Sequence, residues 1–111
     1  MSKVDWKIYA SELTGSIWDT QYMTNGYGKY GFGEVLVCGM KKNCEKITGL
    51  INTFCRMQKD GEVFEEGCVH CIDNPDGKNE YKFALVRLKR NDNGESFIQL
   101  YPDFEMGGIF Y

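Results

Sequence analysis

Cys68-Val69-His70-Cys71 is the stretch whose side chains come nearest to a reactive set. Two thiols and an imidazole within four residues would suit a metal knuckle or a redox pair. A structural zinc site needs four ligands in tetrahedral reach, and Cys38, Cys44 and Cys55 form no second short-spaced pair. On a strand, residues three apart face opposite sides, so Cys68 and Cys71 should diverge. A thioredoxin-type pair opens a helix after a strand, whereas this one precedes the acidic turn Asp73-Asn74-Pro75-Asp76. His70 is the sole histidine, so any Ser-His or Cys-His catalysis has to use it. Cys68 shares its strand face, but no orienting third group accompanies them. Glu65-Glu66 and the Asp73/Asp76 pair fall in turn-forming sequence, where solvated charge is the simpler account. The expectation is a chain that is not an enzyme, with no catalytic residue, cofactor or metal. A zinc- or thiol-dependent protein using Cys68 and Cys71 is kept as an alternative.

Binding chemistry is better represented, in two aromatic stretches. Gly26-Tyr27-Gly28-Lys29-Tyr30-Gly31-Phe32-Gly33 interleaves rings with glycine, as single-stranded nucleic-acid binders do. One lysine in the run and a net charge of −3 for the chain argue against a nucleic-acid partner. The Gly-Lys step lacks the spacing and hydroxyl of a phosphate-binding loop. The run is expected to be a turn with its rings folded onto the core. Trp6-x-x-Tyr9 is more informative. On a helix two aromatics one turn apart project together, and such a platform suits a proline-rich peptide in extended form. Packing of both rings onto the body of the domain is the competing account.

At 111 residues the chain should be one domain, residues 1–111, with one core. Apolar content of 42% and charged content of 26% are those of an ordinary globular domain. No run approaches a membrane span, and no signal-type segment opens the chain. Five cysteines, an odd number, fit a reducing compartment better than a disulfide framework, so a cytoplasmic location is expected.

The elements that would position these groups are as follows. Ser2-Lys3-Val4-Asp5 has the form of a helix start, and Trp6, Tyr9, Ala10 and Leu13 recur at helical spacing up to Gly15. Ser16–Met23 alternates like an outer strand. Glu34–Met40 is apolar or small on both alternating faces, so it should be an inner strand with cover on each side. Asn43 is placed to cap a helix reaching Met57, with Ile47, Leu50, Ile51 and Phe54 along one face. Gly49 costs that helix roughly 1 kcal/mol unless something packs closely against it. A strand region follows at Glu62–Ile72, broken at Glu65-Glu66-Gly67, and strands at Tyr81–Arg90 and Ser96–Tyr101, the last two joined through Asn91-Asp92-Asn93-Gly94. The predicted architecture is α+β: an antiparallel sheet covered by an N-terminal helix and a central amphipathic helix.

That order of elements, with Trp6-x-x-Tyr9 at the start, resembles profilin. Glu45-Lys46-Ile47-Thr48-Gly49-Leu50-Ile51-Asn52-Thr53-Phe54 is similar to the family's second helix, and Phe83–Leu100 to its late hairpin. The chain departs from the family in stopping at Tyr111, short of the long C-terminal helix, and in a shortened Asn74–Asn79 segment. The resemblance implies a cytosolic, non-enzymatic module that binds an actin monomer, a proline-rich peptide, or both. It would place the peptide on Trp6 and Tyr9, with Phe110 and Tyr111 standing in for the C-terminal aromatics. Lys82, Arg87, Lys89 and Arg90 would form a charged partner-binding face. The other interaction reading is an unrelated α+β assembly protein, dimeric through a sheet edge or through the hydrophobic tail Ile109-Phe110-Tyr111.

Overall fold

A computed structural model describes residues 6–73, 80–88 and 97–105. The strands are β1 (Lys7–Glu12), β2 (Thr20–Asn25), β3 (Glu34–Gly39), β4 (Val69–Asp73), β5 (Glu80–Leu88) and β6 (Phe97–Pro102). One long helix, α1 (Cys44–Lys59), follows β3, and short 3-10 turns occupy Tyr27–Tyr30, Lys41–Asn43 and Asp103–Glu105. The strands make one six-stranded sheet in the order β1-β2-β3-β6-β5-β4. The fold is therefore α+β.

α1 forms where its periodicity predicts. Ile47, Leu50, Ile51 and Phe54 are all fully buried against the sheet, each contributing about 1.5–3 kcal/mol by leaving water. They meet Val35 and Val37 of β3, Ile98 and Leu100 of β6, and Phe83 and Leu85 of β5, which are equally buried. Gly49 is not wasted, because a Cβ there would sit 2.5 Å from the Tyr81 hydroxyl. Asn43 precedes the helix but makes no side-chain cap. Its amide donates instead to Glu105 Oε1 at 2.7 Å.

Four expectations are corrected. The N-terminal segment is a strand, not a helix: β1 pairs antiparallel with β2 from Lys7↔Asn25 to Glu12↔Thr20. Residues 6–13 fit helical and alternating spacing equally well, and so short a helix has little stability of its own. A partner strand that satisfies the backbone decides between them. The sheet is also mixed, since β3 runs parallel to β6. The chain between them passes through α1, β4 and β5, long enough for the crossover a parallel pair needs. β2 begins at Thr20 rather than Ser16, because Ser16 Oγ accepts from the Trp18 N–H at 3.2 Å and turns the chain there. Of the expected Glu62–Ile72 strand region, the part before the Glu65–Gly67 break forms no strand, and the part after it is β4, Val69–Asp73, which pairs with β5. The Asn91–Gly94 hairpin and the Ser2–Asp5 helix start lie outside the described residues.

Among the described residues the inner strand has cover on one side only. Val35 and Val37 face α1, while Leu36 and Cys38 are half-buried on the opposite face, where no second layer stands.

Candidate functional site

The sheet's two faces follow from its register. Cross-strand partners share a face, so Tyr9↔Met23, Met23↔Leu36 and Leu36↔Gln99 define one row on the open side, across β1, β2, β3 and β6. Ser11, Gln21 and Cys38 make the next row, and Val69, Ala84 and Tyr101 lie on the same face toward β4. Antiparallel sheets with one solvated face usually turn polar residues toward water. Here, among the described residues, the middle of the open face carries no charge. Tyr9 is 52% and Val69 46% exposed, and Met23, Leu36, Ala84, Gln99 and Tyr101 are half-buried by their neighbours alone. Charged residues stand at its margins, with Lys7 opposite Asn25 on β1 and Lys82 opposite Cys71 on β5.

The covered side is held by polar pins that release no reactive group. Glu34 accepts the Thr24 hydroxyl (2.7 Å) and the backbone N–H groups of Tyr27 (3.2 Å) and Gly26 (3.3 Å). Thr24 Oγ1 in turn accepts from Val35 N–H at 2.8 Å. These bonds set the glycine-aromatic run as a tight turn bracketed by Gly26 and Gly31, both at positive φ. Tyr27 is fully buried in it, and its hydroxyl proton is shared between Gln58 Oε1 (2.6 Å) and the Cys55 carbonyl (3.2 Å). Burial pushes both the Tyr27 phenol and the Cys55 thiol well up, so each stays protonated and inert. The rings of the run fold inward, as expected.

Trp6 belongs to that corner. It is 5% exposed, its ring centroid lies 5.1 Å from Tyr27, and its indole N–H donates to Asn52 Oδ1 at 3.0 Å. The Lys59 ammonium sits over the Trp6 and Tyr30 rings, at 5.5 and 4.4 Å. Tyr9, three residues on along a strand, faces the open side. The shared platform of a helical Trp6-x-x-Tyr9 is therefore not formed: one ring is core and the other surface.

At the sheet end nearest the start of α1, two carboxylates organise the backbone. Asp19 Oδ1 accepts from Lys41 N–H (2.7 Å) and the Thr20 hydroxyl (2.9 Å), which hold its carboxyl below the usual range. Glu105 accepts from the Met40 N–H, and its carbonyl takes the Trp18 indole N–H at 3.2 Å. Beside them a pocket of about 480 Å³ is lined by Ser11, Glu12, Asp19, Tyr22, Lys41 and Cys44, among others. Burial raises the Tyr22 phenol, and its hydroxyl donates to the Met40 carbonyl at 3.3 Å. Cys44 has no imidazole near it to act as a base, because His70 stands on β4 at the opposite edge of the sheet.

His70 is a packed ring. Its Nε2–H donates to the Glu65 carbonyl at 2.9 Å, and its ring meets Phe64 edge-to-face and lies tilted against Phe83, with centroids 5.3 and 5.8 Å away. The register puts His70 opposite Phe83 on the covered face and Cys71 opposite Lys82 on the other, so Cys71 diverges from its neighbours. Among the described residues no three His, Cys, Asp or Glu side chains are placed to hold a metal ion.

Of the other predicted site residues, Arg87 lies in β5 paired with Ile98. Lys89, Arg90, Phe110 and Tyr111 lie outside the described residues. No described helix is long and apolar enough to cross a membrane. The open face was missed from sequence, although the alternation of Leu36 and Cys38 with Val35 and Val37 already held it. No family model, curated protein or solved structure matches the chain.

Proposed function

We propose that this chain is a non-enzymatic protein-binding domain that meets its partner on the open face of its sheet. The observation that carries the reading is the uncharged row Tyr9, Met23, Leu36 and Gln99 on a face that no element covers among the described residues. Binding surfaces are depleted of charge at their centre and keep it at the rim, which is the distribution found here.

The resemblance to profilin makes an actin monomer and a proline-rich peptide the first partners to test, in a cytoplasmic setting. Trp6 is already engaged with Asn52, so Tyr9 is the ring of the pair that a peptide would meet. Titration calorimetry with a polyproline peptide and with actin monomers measures both directly. For the partner that binds, the double variant Tyr9→Ser/Met23→Ser should weaken binding about tenfold with an almost unchanged unfolding midpoint. Wild-type affinity in that variant would contradict the open-face reading. Absence of binding to either molecule would remove the profilin-type partnership.

A further inference from the structure

We infer that a second copy of this chain pairs with the outer edge of β1, antiparallel and with Tyr9 opposite Tyr9 on the two-fold axis. The inference rests on the reading of the chain as an interaction domain and names a partner for it.

β1 ends the sheet, and among the described residues no strand lies beyond it. Leu13 N–H donates to the Asp19 carbonyl, which continues the β1–β2 register by one pair. Backbone groups alternate in direction along an antiparallel strand, so Lys7, Tyr9 and Ser11 bond toward β2. The N–H and C=O groups of Ile8, Ala10 and Glu12 point away from the sheet. An edge of this kind is a template for another strand unless proline, a bulge or dense charge blunts it. β1 has no proline, and its charges are Lys7 near one end and Glu12 at the other.

The side chains choose the register. Paired residues must share a face, so the two-fold axis passes through a residue, and the longest overlap of two β1 strands centres on Tyr9 or on Ala10. Centring on Ala10 would set Ile8 against the second copy's Glu12, a poor match. Centring on Tyr9 sets Ile8 against Ala10 on the helix side and Lys7 against Ser11 on the open side. Tyr9 then faces its counterpart in a non-hydrogen-bonded pair, where Cα atoms approach to about 4.5 Å and the two rings can stack. The uncharged row continues from Leu36, Met23 and Tyr9 of one copy into the same three residues of the other. Glu12 falls opposite the second copy's Trp6, beside which the Lys59 ammonium already lies, 5.5 Å from the ring centroid. The match of Glu12 to a waiting cation, with no like charges opposed, is what singles out a second copy. β4, at the other edge, centred on Cys71 would oppose Val69 to Asp73 and His70 to Ile72.

Sedimentation equilibrium of the full chain tests this through charge exchange at Tyr9, an exposed position whose replacement leaves the core intact. The wild type should show a reversible dimer. Tyr9→Lys and Tyr9→Glu should each weaken self-association about tenfold or more, and an equimolar mixture should restore a mixed dimer. Ala10→Pro removes only an outward N–H and should be a folded monomer, checked by near-ultraviolet dichroism. A wild type that stays monomeric at millimolar concentration overturns the inference, as does a mixture that fails to associate or a dimer that survives Ala10→Pro. None of these outcomes touches binding of a different partner to the open face, which the calorimetry above reports separately.

Discussion

The two faces of the sheet draw on nearly the same residue types and put them to different uses. Trp6 and Tyr9 are the sharpest instance. Trp6 is closed in by Tyr27, Tyr30 and Lys59 and bonded to Asn52, whereas Tyr9 stands half in solvent on the far side. Val37 and Leu36 repeat the contrast one residue apart on β3, one fully buried under α1 and the other only half-buried. Hydrophobicity alone therefore does not say which face is core. The covering helix does, and so do the carboxylates of Glu34 and Glu105, which occupy backbone N–H groups on loops flanking it.

Truncations on the two sides should separate widely. Trp6→Ala removes a buried ring and strands the Asn52 side chain, and should cost about 3–5 kcal/mol in urea unfolding. That loss is structural, so any effect of Trp6→Ala on peptide binding has to be read against it. Gly39→Ala should come next. A Cβ there would collide with the Glu105 carboxylate and lie 2.6 Å from Ile47 Cδ1, an overpacking cost of about 1–3 kcal/mol. Adding Glu105→Ala should not rescue it, because the Ile47 contact remains and the Met40 N–H and the Asn43 amide lose their acceptor. Tyr9→Ala should change the stability of the monomer by about 0.5 kcal/mol or less, as expected for an exposed site. An equal cost for Trp6→Ala and Tyr9→Ala would break the distinction between the faces.

A smaller effect is expected at the Asp19 carboxylate. Its pKa is depressed below the ordinary 3.8 by the Lys41 N–H and the Thr20 hydroxyl. A depressed carboxylate stabilises the fold above its unfolded value, and that contribution is lost as pH falls through the folded one. Asp19→Asn should therefore lower stability slightly in the neutral range, where the ionised carboxylate contributes, and flatten the acid limb below about pH 4, where the variant and the wild type converge. Denaturant midpoints across the acid range would show it.

Much of the covered face was legible from sequence and little of the open one. Ile47, Leu50, Ile51 and Phe54 announce α1 because a helix writes its own period locally. Tyr81, Phe83 and Leu85 alternate with Ala84, Val86 and Leu88, so the strand was legible, but with apolar residues in both sets the alternation did not say that the first set is the buried one. β1 was not, because Trp6, Tyr9, Ala10 and Leu13 satisfy a helical template while Ile8, Ala10 and Glu12 satisfy a strand, and the choice is made by β2 across the hairpin. The parallel β3–β6 pair depends on partners some 63 residues apart, as in Val35↔Ile98, and no local pattern encodes that. Glu34 and Glu105 look like ordinary surface acids until the fold brings backbone N–H groups to them. Lys82 and Arg87 were grouped by charge, yet the register separates their partners, Cys71 and Ile98, onto opposite faces.

Residue-resolved amide exchange at low and high protein concentration tests the central claim, that the outer edge of β1 is where the molecule meets a second copy of itself. Tyr9 and Ser11 bond toward β2 and should be protected at both concentrations. Ile8 and Ala10 point outward, and should exchange freely when dilute and slow markedly as copies associate. Protection of Ile8 and Ala10 that is already complete in the dilute monomer, or never rises with concentration, would contradict the account.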